Sequence, residues 1–275
     1  MGTESRHPRS IGLDRMTARE IVRLMNEEDG TVLRALQRAG DQIAVAAEEA
    51  AAAFQRGGRV IYVGAGTSGR IATADAAEMP PTFGVDPARF VAVVAGGTAA
   101  MSSAIEADED DGHAAIEALE ALGLSRNDFV IGVAASGRTP FVVAACRHAQ
   151  QKGVPTCGIA NNRDAELFDC VDMPILLDTG PEVLTGSTRL KAGTAQKLAL
   201  NAISTAAMVL SGKVIENLMV DVKATNDKLK ERCVRIVREL STVSEDEARR
   251  LLEAHGWNIR RVVAIVRATE APAAG

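Results

Sequence analysis

Five short apolar runs interrupt an otherwise helical pattern, at residues 60–63, 90–94, 129–134, 156–159 and, more weakly, 173–177. Their apolar residues are consecutive rather than alternating, as in strands buried on both faces. Between the first four runs, residues 71–78, 114–122 and 140–151 carry apolar side chains at helical spacing. Strands alternating with helices predict an α/β fold, a doubly wound parallel sheet flanked by helices.

Outside this block only helical patterns occur. Thr17-Ala-Arg-Glu20 reads as a capping box, followed by apolar Ile21, Leu24 and Met25. A second helical stretch covers 31–54, with Gly40 as a candidate break and Gly57-Gly58 closing it. Beyond the last strand, 191–210 reads as a buried, Ala-rich helix and 217–240 as a more amphipathic one. Ser244-Glu-Asp-Glu247 is a further capping box, opening a helix through Ala254; Gly256 interrupts before 259–267, and 268–275 is expected to fray. The chain thus divides into an N-terminal helical extension (1–57), a central α/β domain (58–240) and a small C-terminal helical region (241–275).

Composition narrows the function classes. At 275 residues, 47% hydrophobic and 24% charged, the chain can bury a substantial core. Aromatic residues make up only 3%, with one Trp and one Tyr, so the core is aliphatic and base stacking on nucleic acid is not expected. A formal net charge of -5 gives no reason to expect a polyanionic partner, although a local site can still hold a compact phosphorylated metabolite. Cys146, Cys157, Cys170 and Cys233 lack CxxC spacing, so neither zinc knuckle nor disulfide framework is expected. The N-terminus lacks a signal-type apolar region and no apolar run approaches the roughly 20 residues of a membrane span. A soluble cytoplasmic protein with no membrane partner is expected.

The chemistry concentrates in loops. Gly64-Ala-Gly-Thr-Ser-Gly69 follows the first strand and opens a helix, where backbone N–H groups can hold an anion. The same glycines would also serve a tight strand–helix turn. The spacing matches G-x-G-x-x-G formally, but the dinucleotide motif needs an acidic residue about 20 positions on at the end of a second strand. That region is Pro80-Pro81-Thr82-Phe83-Gly84, and no Gly-Lys-Ser/Thr follows for a triphosphate loop. Ala134-Ala-Ser-Gly-Arg-Thr-Pro140 occupies the equivalent place after another strand. Two hydroxyl-bearing loops converging without a lysine cradle suit a sugar monophosphate held as a handle. Gly66, Thr67, Ser68, Ser136, Gly137 and Thr139 are the candidate grip.

These two loops resemble those of the sugar isomerase (SIS) fold. Asp75-Ala-Ala-Glu-Met-Pro-Pro-Thr-Phe-Gly84 and the stretch from Gly180-Pro-Glu-Val-Leu-Thr-Gly-Ser-Thr-Arg189 to Gln196-Lys197 narrow the resemblance to the N-acetylmuramic acid 6-phosphate etherases. Gly212-Lys-Val, Asn217-Leu-Met-Val-Asp221 and Thr225-Asn226 extend it, so that it runs from Thr3-Glu4 to about residue 240. The resemblance implies an SIS-type sheet, cleavage of a D-lactyl ether without cofactor or metal, and a homodimer with its site near the subunit interface.

It also implies two acid/base glutamates, at Glu78 and Glu109. Residue typing alone would read Glu78 as a solvated helix end beside Pro80-Pro81, and Glu109 as one member of the acidic run Glu106-Ala-Asp-Glu-Asp-Asp111. Ser187 and Lys191 are expected to complete the pocket, or Ser187 to cap the helix that follows. His7 stands where the family usually has Asn, and Asn161-Asn-Arg-Asp-Ala165 replaces an Asn-Pro turn. A non-catalytic sugar-phosphate sensor of the glucokinase regulatory protein type shares much of the pattern; retention of both Glu78 and Glu109 favours the enzyme.

Overall fold

The computed structural model describes residues 2–101, 106–224 and 226–270. All five apolar runs form strands: β1 (Val60–Gly64), β2 (Phe90–Val94), β3 (Phe129–Val133), β4 (Thr156–Ala160) and β5 (Met173–Leu176). They make one parallel sheet in the order β2-β1-β3-β4-β5, with Val60 in register with both Phe90 and Phe129. Every residue of β1, β3 and β4 is buried, which explains why these runs do not alternate.

The chain contacts group into two compact units. The first comprises Met1–Ala77 and Pro87–Ala207 and contains the sheet. Around it lie α1 (Ala18–Arg38), α2 (Gly40–Gln55), the start of α3 (Gly66–Phe83), α4 (Gly112–Ala121), α5 (Pro140–Gln151) and most of α6 (Lys191–Leu210). Thr17 and Glu20 form the expected capping box. Helix α1 then runs straight through Thr31 and breaks only at Ala39, just before Gly40. The expected boundary near residue 30 is absent because Val32 and Ala35 continue the buried stripe begun at Leu24.

The second unit comprises Glu78–Asp86 and Met208–Gly275. The single amphipathic helix expected over 217–240 is replaced by a hairpin and a shorter helix. Strands β6 (Val214–Ile215) and β7 (Leu218–Met219) pair antiparallel, and the helix, α7 (Asp227–Leu240), begins only after Asn226, whose side chain accepts the Leu229 N–H. Its stripe of Cys233, Val234, Ile236, Val237 and Leu240 packs with α8 (Glu245–Ala254) and α9 (Ile259–Glu270) through Leu252, Ile259, Val262, Val263 and Val266. Residues 268–270, expected to fray, continue α9; 271–275 lie outside the described residues. Trp257, between α8 and α9, is half-buried at φ +61, with the Lys230 ammonium 5.5 Å from its ring centroid.

Helix α3 also departs from expectation. Pro80 and Pro81 were expected to end it, but both lie inside its last turn, and the helix closes at Gly84, whose N–H bonds the Pro80 carbonyl at 2.9 Å. A proline loses only its own N–H and its partner carbonyl, which a terminal turn tolerates far better than a helix centre.

Candidate functional site at the switch between two strands

From β1 the chain moves outward to β2; from β3 it moves the other way, to β4. The connections after β1 and β3 therefore diverge at neighbouring strand ends, which opens a crevice of the kind where α/β sheets hold ligands. Adjacent strands lie about 4.8 Å apart, so the two loops start within reach of one phosphate group.

In the first loop, Gly66 opens α3 at φ +52. The first helical bond joins the Gly69 N–H to the Ala65 carbonyl at 3.1 Å. That leaves the N–H groups of Gly66, Thr67 and Ser68 outside the ladder, at the positive end of an 18-residue helix. In the second loop, Gly137 (φ +68) is pressed onto the segment after β4: a Cβ there would lie 2.2 Å from Ala165 Cβ. Pro140 is the first residue of α5, and Thr139 caps it with its carbonyl, not its side chain.

The four candidate hydroxyls are not equivalent. Those of Thr67 and Thr139 make no hydrogen bond to another described residue, whereas Ser136 Oγ accepts the Arg138 N–H at 3.2 Å. Ser68 is 7% exposed and donates to Gln196 Oε1 at 2.8 Å. Gln196 Nε2 in turn donates to Asn161 Oδ1 at 3.0 Å, and Asn161 Nδ2 to the Leu177 carbonyl at 2.8 Å.

Glu109, in a short 3-10 turn (Glu106–Asp110), reaches the first loop: a Cβ on Gly66 would lie 2.9 Å from its Oε1. Its sequence neighbours Asp110 and Asp111 behave as an acidic run should, Asp110 exposed and Asp111 capping α4 through the Ala114 N–H. Glu78 is exposed on α3, twelve residues beyond Gly66.

The third motif forms the start of α6. Glu182 is fully buried and accepts the N–H groups of Lys191 (3.1 Å) and Ala192 (2.9 Å), capping the helix in the role expected of Ser187. Burial pushes the Glu182 carboxyl up, against those two N–H groups and the Lys191 charge. Ser187 is half-buried one turn earlier. Lys191, 2% exposed, directs its ammonium to Glu28 at 3.1 Å. Burial opposes the Glu28 charge, but bonds from His7 and Lys191 outweigh it and hold that carboxyl below the usual carboxylate range. The first turn of α6 packs on the first loop, since a Cβ on Gly193 would meet Thr67 Cγ2 at 3.4 Å.

The two departures from the family pattern both have partners. His7 Nε2 lies 2.9 Å from Glu28, and its Nδ1 accepts the Arg9 N–H. Asn162 bonds the Thr3 backbone and hydroxyl and the Ala135 carbonyl, tying the N-terminus to the second loop. The sequence motifs include Gln196, Asn161 and Asp75 but assign them no role; buried Asp75 accepts from Tyr62, Asn201 and Ser204 at 2.7, 2.6 and 3.1 Å. The one available signal was their polarity inside otherwise apolar segments. No group of three or more His, Cys, Asp or Glu among the described residues could hold a metal ion, and none of the described helices is long and apolar enough to cross a membrane.

Comparison with known proteins adds relatives to this geometry. A family model described as the glucokinase regulatory protein N-terminal SIS domain matches residues 16–150, and one described as the SIS domain matches 110–206. The N-acetylmuramic acid 6-phosphate etherase of Geobacillus thermodenitrificans is 52% identical, over 97% of this chain and 90% of its own. That of Mycolicibacterium smegmatis is 48% identical, over 97% and 89%. Phosphoheptose isomerase from Neisseria gonorrhoeae, at 22% identity, shares the fold with a TM-score of 0.52, over 71% of this chain and all of that one.

Proposed function

The chain belongs to the N-acetylmuramic acid 6-phosphate etherase family, and from that premise we propose how its loops and glutamates carry out the reaction. The protein is a carbon–oxygen lyase that cleaves the D-lactyl ether of N-acetylmuramic acid 6-phosphate, giving N-acetylglucosamine 6-phosphate and D-lactate for amino sugar recycling.

The 6-phosphate sits in the crevice, met by the N–H groups of Gly66, Thr67 and Ser68 and the hydroxyls of Thr67, Thr139 and Ser136. Gly137 keeps the second loop close, and Ser187 and Lys191 hold the start of α6 behind the first. In the open-chain sugar the C1 aldehyde acidifies the C2 proton. A base removes that proton, the C3–O bond breaks, and an acid protonates the departing lactyl oxygen. Water then adds at C3 of the unsaturated aldehyde and a proton returns to C2, so no oxidant or reductant is consumed. Glu109 is the C2 base and Glu78 the acid, each supplying about 10²–10⁴-fold.

One contact carries this reading: the Glu109 carboxylate lies against Gly66, at the turn that receives the phosphate. Glu78 enters from a second copy. It is exposed on the single chain, so a partner can reach and cover it. Val22 and Leu33, on one face of α1, are exposed apolar residues that a partner would cover. We therefore assign a cytoplasmic homodimer with shared sites.

The test is D-lactate release from N-acetylmuramic acid 6-phosphate in deuterated water. Lactate together with deuterium at C2 of the product is expected, and Glu78→Gln and Glu109→Gln should each slow lactate release by about 10²–10⁴-fold. Lactate without C2 deuterium would replace elimination with direct displacement. No lactate from folded protein would overturn the assigned activity.

A further inference from the structure

We propose that Gln196 is a positioning residue for the phosphate grip, acting through Ser68 by a hydrogen-bond relay that can run in only one direction. The proposal deepens the reading of the two loops as the phosphate site and rests on it. The direction follows from the far end of the relay. The Leu177 carbonyl can only accept, so Asn161 must turn Nδ2 toward it, at 2.8 Å. Asn161 Oδ1 then faces Gln196, which must present Nε2, at 3.0 Å. Gln196 Oε1 is left toward Ser68, whose hydroxyl must donate, at 2.8 Å.

Each member is buried: Ser68 is 7%, Asn161 1% and Gln196 0% exposed. A buried polar group left without its partner is costly, so reversing one amide would penalise the whole chain. The backbone N–H of Asn161 also bonds the Ala135 carbonyl at 3.0 Å, and Asn162 Nδ2 reaches the same carbonyl at 3.1 Å. The relay therefore joins the first turn of α3, the body of α6, the end of β4 and the second loop.

Two consequences follow. The Ser68 proton points into the protein, so a bound phosphate is met by the N–H groups and by Thr67 and Thr139 rather than by the Ser68 hydroxyl. And Gln196 fixes the first turn of α3 relative to the second loop, which sets substrate affinity more than the rate of the chemical steps.

The experiment uses the full chain with Gln196→Met, which keeps the volume and removes both bonds. KM for N-acetylmuramic acid 6-phosphate and Kd for inorganic phosphate should each rise about 10-fold, the equivalent of one lost buried hydrogen bond, with kcat changed less than about 3-fold. Ser68→Ala should do the same, and the double variant should be no worse than the poorer single one, because both break one relay. Unchanged KM and Kd in Gln196→Met, or additive penalties, overturn the proposal. So does tighter phosphate binding, which would mean that the freed Ser68 proton is a phosphate donor.

If Gln196→Met does not fold, Asn161→Asp decides. The introduced carboxyl can still donate to the Leu177 carbonyl while it is protonated, and cannot once it ionises. The ratio of variant to wild-type phosphate Kd should therefore climb with pH; a flat ratio overturns the relay. If the wild type binds phosphate but releases no lactate, the assigned reaction fails while the phosphate comparison still judges the relay. Wild type that binds no phosphate overturns both.

Discussion

Suppose Glu78→Gln and Glu109→Gln chains are expressed together under two affinity tags, and only dimers carrying both tags are purified. Each variant alone should be down by about 10²–10⁴-fold, the usual contribution of a positioned acid or base. In the mixed dimer the outcome depends on whether the two glutamates of one site come from one chain or from two. If sites are shared under two-fold symmetry, one site of the mixed dimer receives both substituted residues and the other receives both intact glutamates. D-lactate release should therefore return to about half the wild-type rate per dimer, at least 10-fold above either parent. A mixed dimer no faster than its parents would refute the shared site and, with it, the assignment of Glu78 to the chemistry.

Gly66→Ala should place a methyl group 2.9 Å from Glu109 Oε1 and force a side chain into left-handed backbone. The fold should survive at a cost of about 1–2 kcal/mol by thermal melting, while kcat falls roughly 100-fold because the base is displaced. Asp128→Asn tests an interaction remote from the site. Burial opposes the Asp128 charge, but bonds from Arg59 and the Ser125 N–H outweigh it and hold the carboxyl below its ordinary range. A lowered carboxyl contributes stability above the unfolded value, about 3.9, and loses it as pH falls through the folded one. The variant should thus lose about 3 kcal/mol at pH 7, roughly 6–12 °C in melting temperature, with the gap to wild type closing below about pH 4. A gap that stays constant into acid would contradict the ion-pair account.

The sheet was legible because burial on both faces leaves a simple trace in sequence: each of the five apolar runs became a strand, with ends shifted by at most one residue. The places of the two glycine- and hydroxyl-bearing loops were legible with it, since they follow β1 and β3 directly. Helix limits were harder to read. Continuity through Thr31 depended on packing of Val32 and Ala35, and continuity through Pro80 and Pro81 on their place in a final turn. Hydrogen-bond direction was invisible. Thr67 and Ser68 look alike as letters, and only Gln196, 128 residues away from Ser68, separates their roles. Glu109 was equally indistinct within its acidic run until its contact with Gly66 set it apart.

Trp257 has one more consequence. It is the sole tryptophan, and it lies where α8 gives way to α9, within the second unit. Emission excited at the red edge of the protein spectrum therefore comes from that unit alone, whereas amide circular dichroism averages over the whole chain. Recording both during one denaturant titration would reveal whether the C-terminal helices melt together with the sheet or ahead of it, with no label attached.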